Sequence, residues 1–500
     1  MLSFSRLVAA VAIACSIAGG ASAADAPVES EVSALNRILA SGGFQQCDRI
    51  RDRLVRATAD PAFDGLASGQ RRTTLFALLA CSPEGAPGLA NAAGRLEPIA
   101  VERHEIFAAH YTLMTDARRR DDIKAYLRHL GAIIDADPAL IADWEPDAFF
   151  WALRKTRDDP AAKLELLTRL RQPPWSTDSA KDASANGWAL SQAQLLMETG
   201  DATKAGILLE GATATFVLLQ VAQDRRFAPL WPALEQAGRF DWTRVAEAEL
   251  ALTRAQATRR PESLEPIATQ IDALRAMGRY DEALALGDAY AVRLDKGERF
   301  DDANTQRAWL LNNHAYTLYD LGRFDDADRV MKSAQGRDGV SQRINRAELL
   351  SNAGKPAQAL EVLSEVKEKQ SSPYGLMWRD AGLVCARFRL GDRAGAEALL
   401  PSMRERWKEN AAALTRALIC LDALDEAAAL YVRRLEDPAE RAGALEAFRV
   451  GRPPPVPPPA LVEFEARRAK VLARPEVQAA LAKWGRPLTL PLAGTYWGAL

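Results

Sequence analysis

Gly278-Arg279-Tyr280-Asp281-Glu282-Ala283 returns as Gly322-Arg323-Phe324-Asp325-Asp326-Ala327. Each copy stands between two stretches of helical apolar periodicity. In the second copy, Leu318 and Ala315 lie four and seven residues before the glycine, and Phe324, Ala327 and Ala334 lie two, five and twelve after it. The glycine ends one helix by taking a left-handed conformation that side chains resist. Leu318 and Phe324 fill the hairpin that follows, and alanine at the other positions lets two helices cross with their backbones close. A recurring helix, glycine turn and helix is the mark of a solenoid, an architecture that more often binds than catalyses.

The frame recurs along the chain. Gly354 carries Leu350, Ala347 and Ala359, with Pro356 in place of the aromatic residue, and Gly391 carries Val384 and Ala396. Gly278 carries Leu274 and Ile271 before it, and Gly200 carries Leu196, Ala193, Ala205 and Ala212. Gly42 has Ile38, Leu35 and Phe44, with Cys47 at the small position. Gly238 opens the same phrase, but Thr243 sits where alanine is expected. In the last unit Asp422 stands in for the glycine, between Leu418 and Ala427. From Gly200 to Asp422 the turns are 38, 40, 44, 32, 37 and 31 residues apart. The 44-residue interval predicts a lengthened helix or a non-standard loop within 293–305.

This pattern resembles the tetratricopeptide repeat, a unit of about 34 residues. The resemblance is close over 264–435, looser over 186–258 and weak before that. It implies an all-α fold: a right-handed superhelical solenoid of antiparallel helix hairpins, with degenerate helical repeats at its N-terminal end. It also implies a concave groove, lined by the first helix of each hairpin, that holds a peptide. Nine residues before the turn the family often carries an asparagine that bonds the ligand backbone. Asn313 and Asn345 match that position in consecutive repeats, and Gly382 ends the row. Trp309, Asn312, Tyr316 and Tyr319 lie on or near the same face. The alternative is that the asparagines bond local backbone and the aromatic rings fill hairpin cores.

Residues 1–23 read as a secretory leader. Arg6 precedes an apolar run from Leu7 to Ala18 that is short for a bilayer span, and Ala21-Ser22-Ala23 is a small-residue cleavage site. Cleavage between Ala23 and Ala24 gives a periplasmic or secreted protein; a lipidated Cys15 is the alternative. The expected divisions are then a helical region of degenerate repeats (24–171), a Pro- and Ser-rich connector (172–185) and divergent repeats (186–258). The array proper (259–450), a polyproline linker (451–459) and a capping helix with an apolar tail (460–500) follow.

With 64 basic and 66 acidic side chains, the chain offers no cationic excess for nucleic acid or anionic lipid. Past the leader no apolar run is long enough for a transmembrane helix. Cys47 and Cys81 are 34 residues apart, and Cys385 and Cys420 are 35 apart, each close to one hairpin. In an oxidising compartment that spacing predicts a disulfide between neighbouring helices, against the alternative of four buried thiols.

His104-Glu105 and His110 invite comparison with a zinc-protease helix. That motif needs histidines four apart on one face, and a gap of six turns the second ring about 240° away. His129 and His314 stand alone, and no nucleophile elbow or phosphate loop is present. The expectation is a scaffold or adaptor with no cofactor and no metal, whose partner is a protein or peptide segment. The alternatives are a helical-toroid enzyme acting on polysaccharide, with some of the 11 tryptophans stacking on sugars, or an envelope-assembly helper lipoprotein.

Overall fold

A computed structural model of the 500-residue chain describes residues 27–40, 47–142, 144, 146–172, 179–334 and 339–493. The leader, its cleavage site at Ala23 and Ala24, Cys15, the Gly42 turn and the last seven residues of the apolar tail lie outside the described residues. The chain forms two compact units, Met1–Thr177 and Asp178–Leu500.

The first unit holds α1 (Pro27–Ala40), α2 (Cys47–Ala59), α3 (Ser68–Cys81), α4 (Leu89–Leu96), α5 (Arg103–Arg119), α6 (Ile123–Ala136), α7 (Phe150–Lys155) and α8 (Pro160–Leu170). Its first core gathers Leu35, Leu54, Phe63 and Leu96, none of them exposed. Cys47 and Cys81 are joined, tying the start of α2 to the end of α3 with their Cα atoms 4.9 Å apart.

The second unit begins with the hairpin α9 (Ser179–Glu198) and α10 (Ala202–Glu210). Next come α11 (Thr215–Gln223), α12 (Trp231–Gln236) and α13 (Trp242–Arg259). Four hairpins follow: α14 (Glu265–Ala276) with α15 (Tyr280–Asp295), α16 (Ala303–Asp320) with α17 (Phe324–Ala334), α18 (Val340–Asn352) with α19 (Pro356–Ser364), and α20 (Pro373–Arg389) with α21 (Arg393–Glu397) and α22 (Leu400–Glu405). A fifth is α23 (Ala411–Cys420) with α24 (Leu424–Glu436). First helices pack on first helices: α14 on α16, α18 on α20 and α20 on α23. Cys385 of α20 and Cys420 of α23 are joined across one such joint, Cα to Cα 5.2 Å.

Seven turns of this unit share one geometry. Gly200, Gly238, Gly278, Gly322, Gly354 and Gly391 have φ between 69° and 86°, and Asp422 takes φ 61° in the glycine's place. The residue after each turn donates its N–H to the carbonyl five residues back, as Arg323 does to Leu318 at 2.9 Å and Ala423 to Leu418 at 2.9 Å. This bond closes the helix end by the Schellman pattern.

The first unit contains the same turn where none was expected. Asp121, between α5 and α6, has φ 60°, and Asp122 donates to Ala117 O at 2.9 Å. Aspartate tolerates the left-handed conformation better than most residues, so Arg118 to Asp122 make a hairpin turn.

The long interval between Gly278 and Gly322 is an ordered brace. A further left-handed turn at Gly297 (φ 77°) ends the 16-residue α15. Asp302 then caps the helix behind it, accepting from Ser263 Oγ at 2.6 Å, Leu264 N at 2.8 Å and Glu265 N at 3.1 Å. The two main-chain N–H groups are orphan donors at the start of α14.

After α24 the chain runs through α25 (Arg441–Glu446), β1 (Arg449–Arg452), the proline run, α26 (Pro459–Leu472), α27 (Pro475–Trp484) and β2 (Leu488–Ala493). The strands pair in parallel, Arg449 opposite Leu488; α26 and α27 supply the crossover that parallel pairing needs. Helix α26 lies on α18 and α23, and α27 lies on α24. Beyond this cap, the segment returns to the start of the unit. Gln223 donates to Leu445 O at 2.6 Å, Arg486 Nε donates to Ala222 O at 2.6 Å, and Gly485 pairs with Asp224. A Cβ on Gly485 would lie 2.9 Å from the Gln223 carbonyl, so the backbones meet here only because that side chain is missing.

Candidate binding surface

A helix leaves its last carbonyls without partners in the helix. In the array those carbonyls sit beside the turns, and the C-terminal segment crosses them in chain order. Arg452 donates to Met277 O at 3.2 Å, beside the Gly278 turn. Val456 N–H donates to Asp320 O at 3.2 Å, beside Gly322. Its side chain lies so close that a Cβ on Gly322 would stand 2.8 Å from Val456 Cγ1. Arg389, at the end of α20, donates to Ala460 O at 3.2 Å. Arg467 donates to Cys420 O at 2.7 Å, with the Asp422 carboxylate 3.7 Å away. Guanidinium groups suit these places because helix C-termini carry the negative end of the dipole. Proline suits the stretch between them, because it keeps the chain extended and brings no N–H that needs a partner. The run expected as a polyproline linker is therefore a strap laid against the array.

The asparagines lie in the joints between helices. Asn345 Nδ2 donates to Asn312 Oδ1 at 2.9 Å, Asn312 Nδ2 donates to Asn313 Oδ1 at 3.2 Å, and Asn313 Nδ2 donates to Ala268 O at 3.0 Å. This ladder links α18, α16 and α14, and its three side chains are 2%, 0% and 8% exposed. A peptide could reach them only if the joints opened. The structure thus places Asn312, Asn313 and Asn345 between repeats rather than on a groove wall.

The aromatic candidates pack in the same region. Tyr316 and Tyr319 are buried edge to face, with centroids 6.5 Å apart, and Tyr319 meets Phe324 at 5.2 Å. Burial pushes the Tyr319 phenol far above its ordinary range. Trp309 is half-buried. Beneath Tyr316, Arg275 bonds Asp320 Oδ2 at 2.8 Å and Asp272 Oδ1 at 2.9 Å. Burial raises both carboxyls and Arg275 opposes it. A glycosidase would need one acid and one base facing sugar; this pair is committed to a guanidinium.

In the first unit, His104 packs edge-on against Phe76 at 4.7 Å. Glu105 accepts from Val101 N at 2.9 Å and Glu102 N at 3.1 Å, so it caps α5. His110 and His129, which sequence spacing left unrelated, face each other across the α5–α6 hairpin, Nδ1 to Nδ1 at 3.0 Å. Burial lowers the proton affinity of both rings, and nearby Glu97 opposes that.

Shared turns, small crossing residues and stacked first helices define a tetratricopeptide-like helical solenoid. No protein-family model and no curated protein matches the chain. Among solved structures it is similar to a tetratricopeptide repeat protein from Parabacteroides merdae, at 15% identity over 64% of this chain and 98% of that one, with a TM-score of 0.31. It is also similar to the APC/C hetero-tetramer Cut9-Hcn1, at 12% identity over 91% of this chain and 79% of that one, with a TM-score of 0.35.

Proposed function

We propose that this chain is an exported adaptor whose repeat array receives an extended segment of a partner protein along the turns now covered by its own strap. The observation that carries this reading is the seat of Arg452 to Ala460. Three of the turns, those at Gly278, Gly322 and Gly391, hold one proline-rich stretch through main-chain carbonyls and two arginines. Main-chain bonds give affinity without demanding one sequence, and a preformed extended ligand loses little entropy on docking. The two disulfides support work in an oxidising compartment. No described helix is long and apolar enough to cross a membrane.

The test is a fluorescent peptide of residues 451–460, titrated by anisotropy against the full chain and an Arg452→Ala/Val456→Asp variant. A tethered segment competes at roughly millimolar effective concentration. The expectation is that the variant, whose strap is released, binds at least tenfold more tightly than the parent. No binding by either protein sinks the reading.

A further inference from the structure

We infer that Glu97, His110 and His129 form a binding site for zinc or a similar late first-row divalent ion. They come from three elements of the first unit: the turn after α4, the middle of α5 and the middle of α6. The two Nδ1 atoms are 3.0 Å apart, and Glu97 Oε1 is 3.7 Å from His110 Nδ1 and 3.8 Å from His129 Nδ1. The point equidistant from three atoms at these separations lies about 2 Å from each, the length of zinc bonds to imidazole nitrogen and carboxylate oxygen. That point lies in the plane of the three atoms, so a tetrahedral ion would sit just above it, with the Glu97 carboxylate closing on the rings by a few tenths of an ångström.

The donor set selects the metal. Two imidazoles and one carboxylate suit zinc and its neighbours, whereas calcium and magnesium require oxygen ligands. The side chains of His129 and His110 are 4% and 14% exposed, and Glu97 is 37% exposed. The histidines therefore form the floor, and Glu97 stands at the mouth. Three protein ligands leave the fourth tetrahedral position to water, the pattern of sites that exchange or activate a ligand.

Arg128 sets the cost of filling the site. Its Nη2 lies 3.1 Å from His129 Nε2 and can only donate, so in the metal-free protein His129 carries its proton on Nδ1 and gives it to His110 Nδ1. When the ion takes both Nδ1 lone pairs, the His129 proton moves to Nε2 and Arg128 must swing away. Metal replaces two hydrogen bonds, no proton is lost overall, and a nearby positive charge opposes the ion. Arg128 is therefore a gate on affinity.

Cobalt(II) reports the site directly. Untagged full-length protein is titrated with Co²⁺ in its oxidised form, and bound metal is counted by mass spectrometry of dialysed samples. The expected result is one equivalent with the visible absorption of a tetrahedral centre, displaced by Zn²⁺. Glu97→Gln keeps shape near the surface and should weaken uptake at least tenfold; His110→Gln should abolish the band. Arg128→Ala should tighten binding several-fold, which a site elsewhere would not show. Absence of a stoichiometric site, or equal uptake by the parent and the Glu97→Gln and His110→Gln variants, overturns the inference.

Discussion

Asn345 donates to Asn312 across the joint between two successive first helices, Nδ2 to Oδ1 at 2.9 Å, in a setting sealed from water. A buried amide that loses its partner keeps its desolvation cost. Asn345→Ala strands the Asn312 carbonyl and is expected to lower stability by about 1–3 kcal/mol. Urea unfolding measures the loss. Binding of the 451–460 peptide to the strap-released protein should not change well below the unfolding midpoint. Weaker binding at unchanged stability would return the asparagines to a ligand-binding role.

Two glycines separate backbone strain from strap contact. Gly354 has φ 82° and nothing near a future Cβ, while Gly322 has φ 76° and Val456 in the way. Gly354→Ala should cost about 1–2 kcal/mol from the left-handed conformation alone. Gly322→Ala should cost about 1–3 kcal/mol more through overpacking. Adding Val456→Ala should recover most of that difference. Equal losses for the two single variants would mean that the strap does not rest on this turn.

The disulfides each close a loop of about one hairpin. In the chain-entropy account, removing Cys385–Cys420 by a Cys385→Ser/Cys420→Ser double substitution should lower stability by roughly 4 kcal/mol. Peptide mapping after alkylation without reductant should find Cys47, Cys81, Cys385 and Cys420 unmodified in the parent. Alkylation of these four would contradict both bridges.

His314 predicts an acid-side loss of stability. Its ring is 2% exposed, Nε2 lies 3.1 Å from Asp288 Oδ1, and burial lowers its pKa from the ordinary 6.5, with Arg323 adding to burial and Asp288 opposing it. The fold favours the neutral ring, so the unfolded chain binds more protons below 6.5. The stabilisation is complete above that value and is lost as pH falls from 6.5 through the folded pKa. His314→Gln should flatten the melting temperature against pH in that window. An unaltered slope would show that the ring is not the group responsible.

The repeated glycine phrase made the array legible because each turn imposes a conformation that few residues accept. Asp422 was readable as a substitute because Leu418 and Ala427 flank it in frame. Asp121 was not, because Tyr126 takes the position where alanine is expected. The asparagine register was also visible, but a nine-residue offset cannot tell a groove wall from a joint; only stacking distance decides that. The strap was illegible for a different reason: proline specifies an extended backbone and says nothing about what it lies against. His110 and His129 became neighbours through the unrecognised hairpin, so missing Asp121 also hid their pairing.

The return of Leu445 and Arg486 to Gln223 and Ala222 alters the order of events during synthesis. In an open array each hairpin can settle as soon as its neighbour exists. Here the Ala222 carbonyl at the end of α11 lacks its arginine until a residue more than 260 positions later has emerged. A chain released early, or trimmed before Gly485, leaves the Ala222 and Gln223 carbonyls without these donors. Proteases that nick unfinished ends would thus distinguish complete molecules from truncated ones, and the closing contacts would act as proofreading for a finished chain.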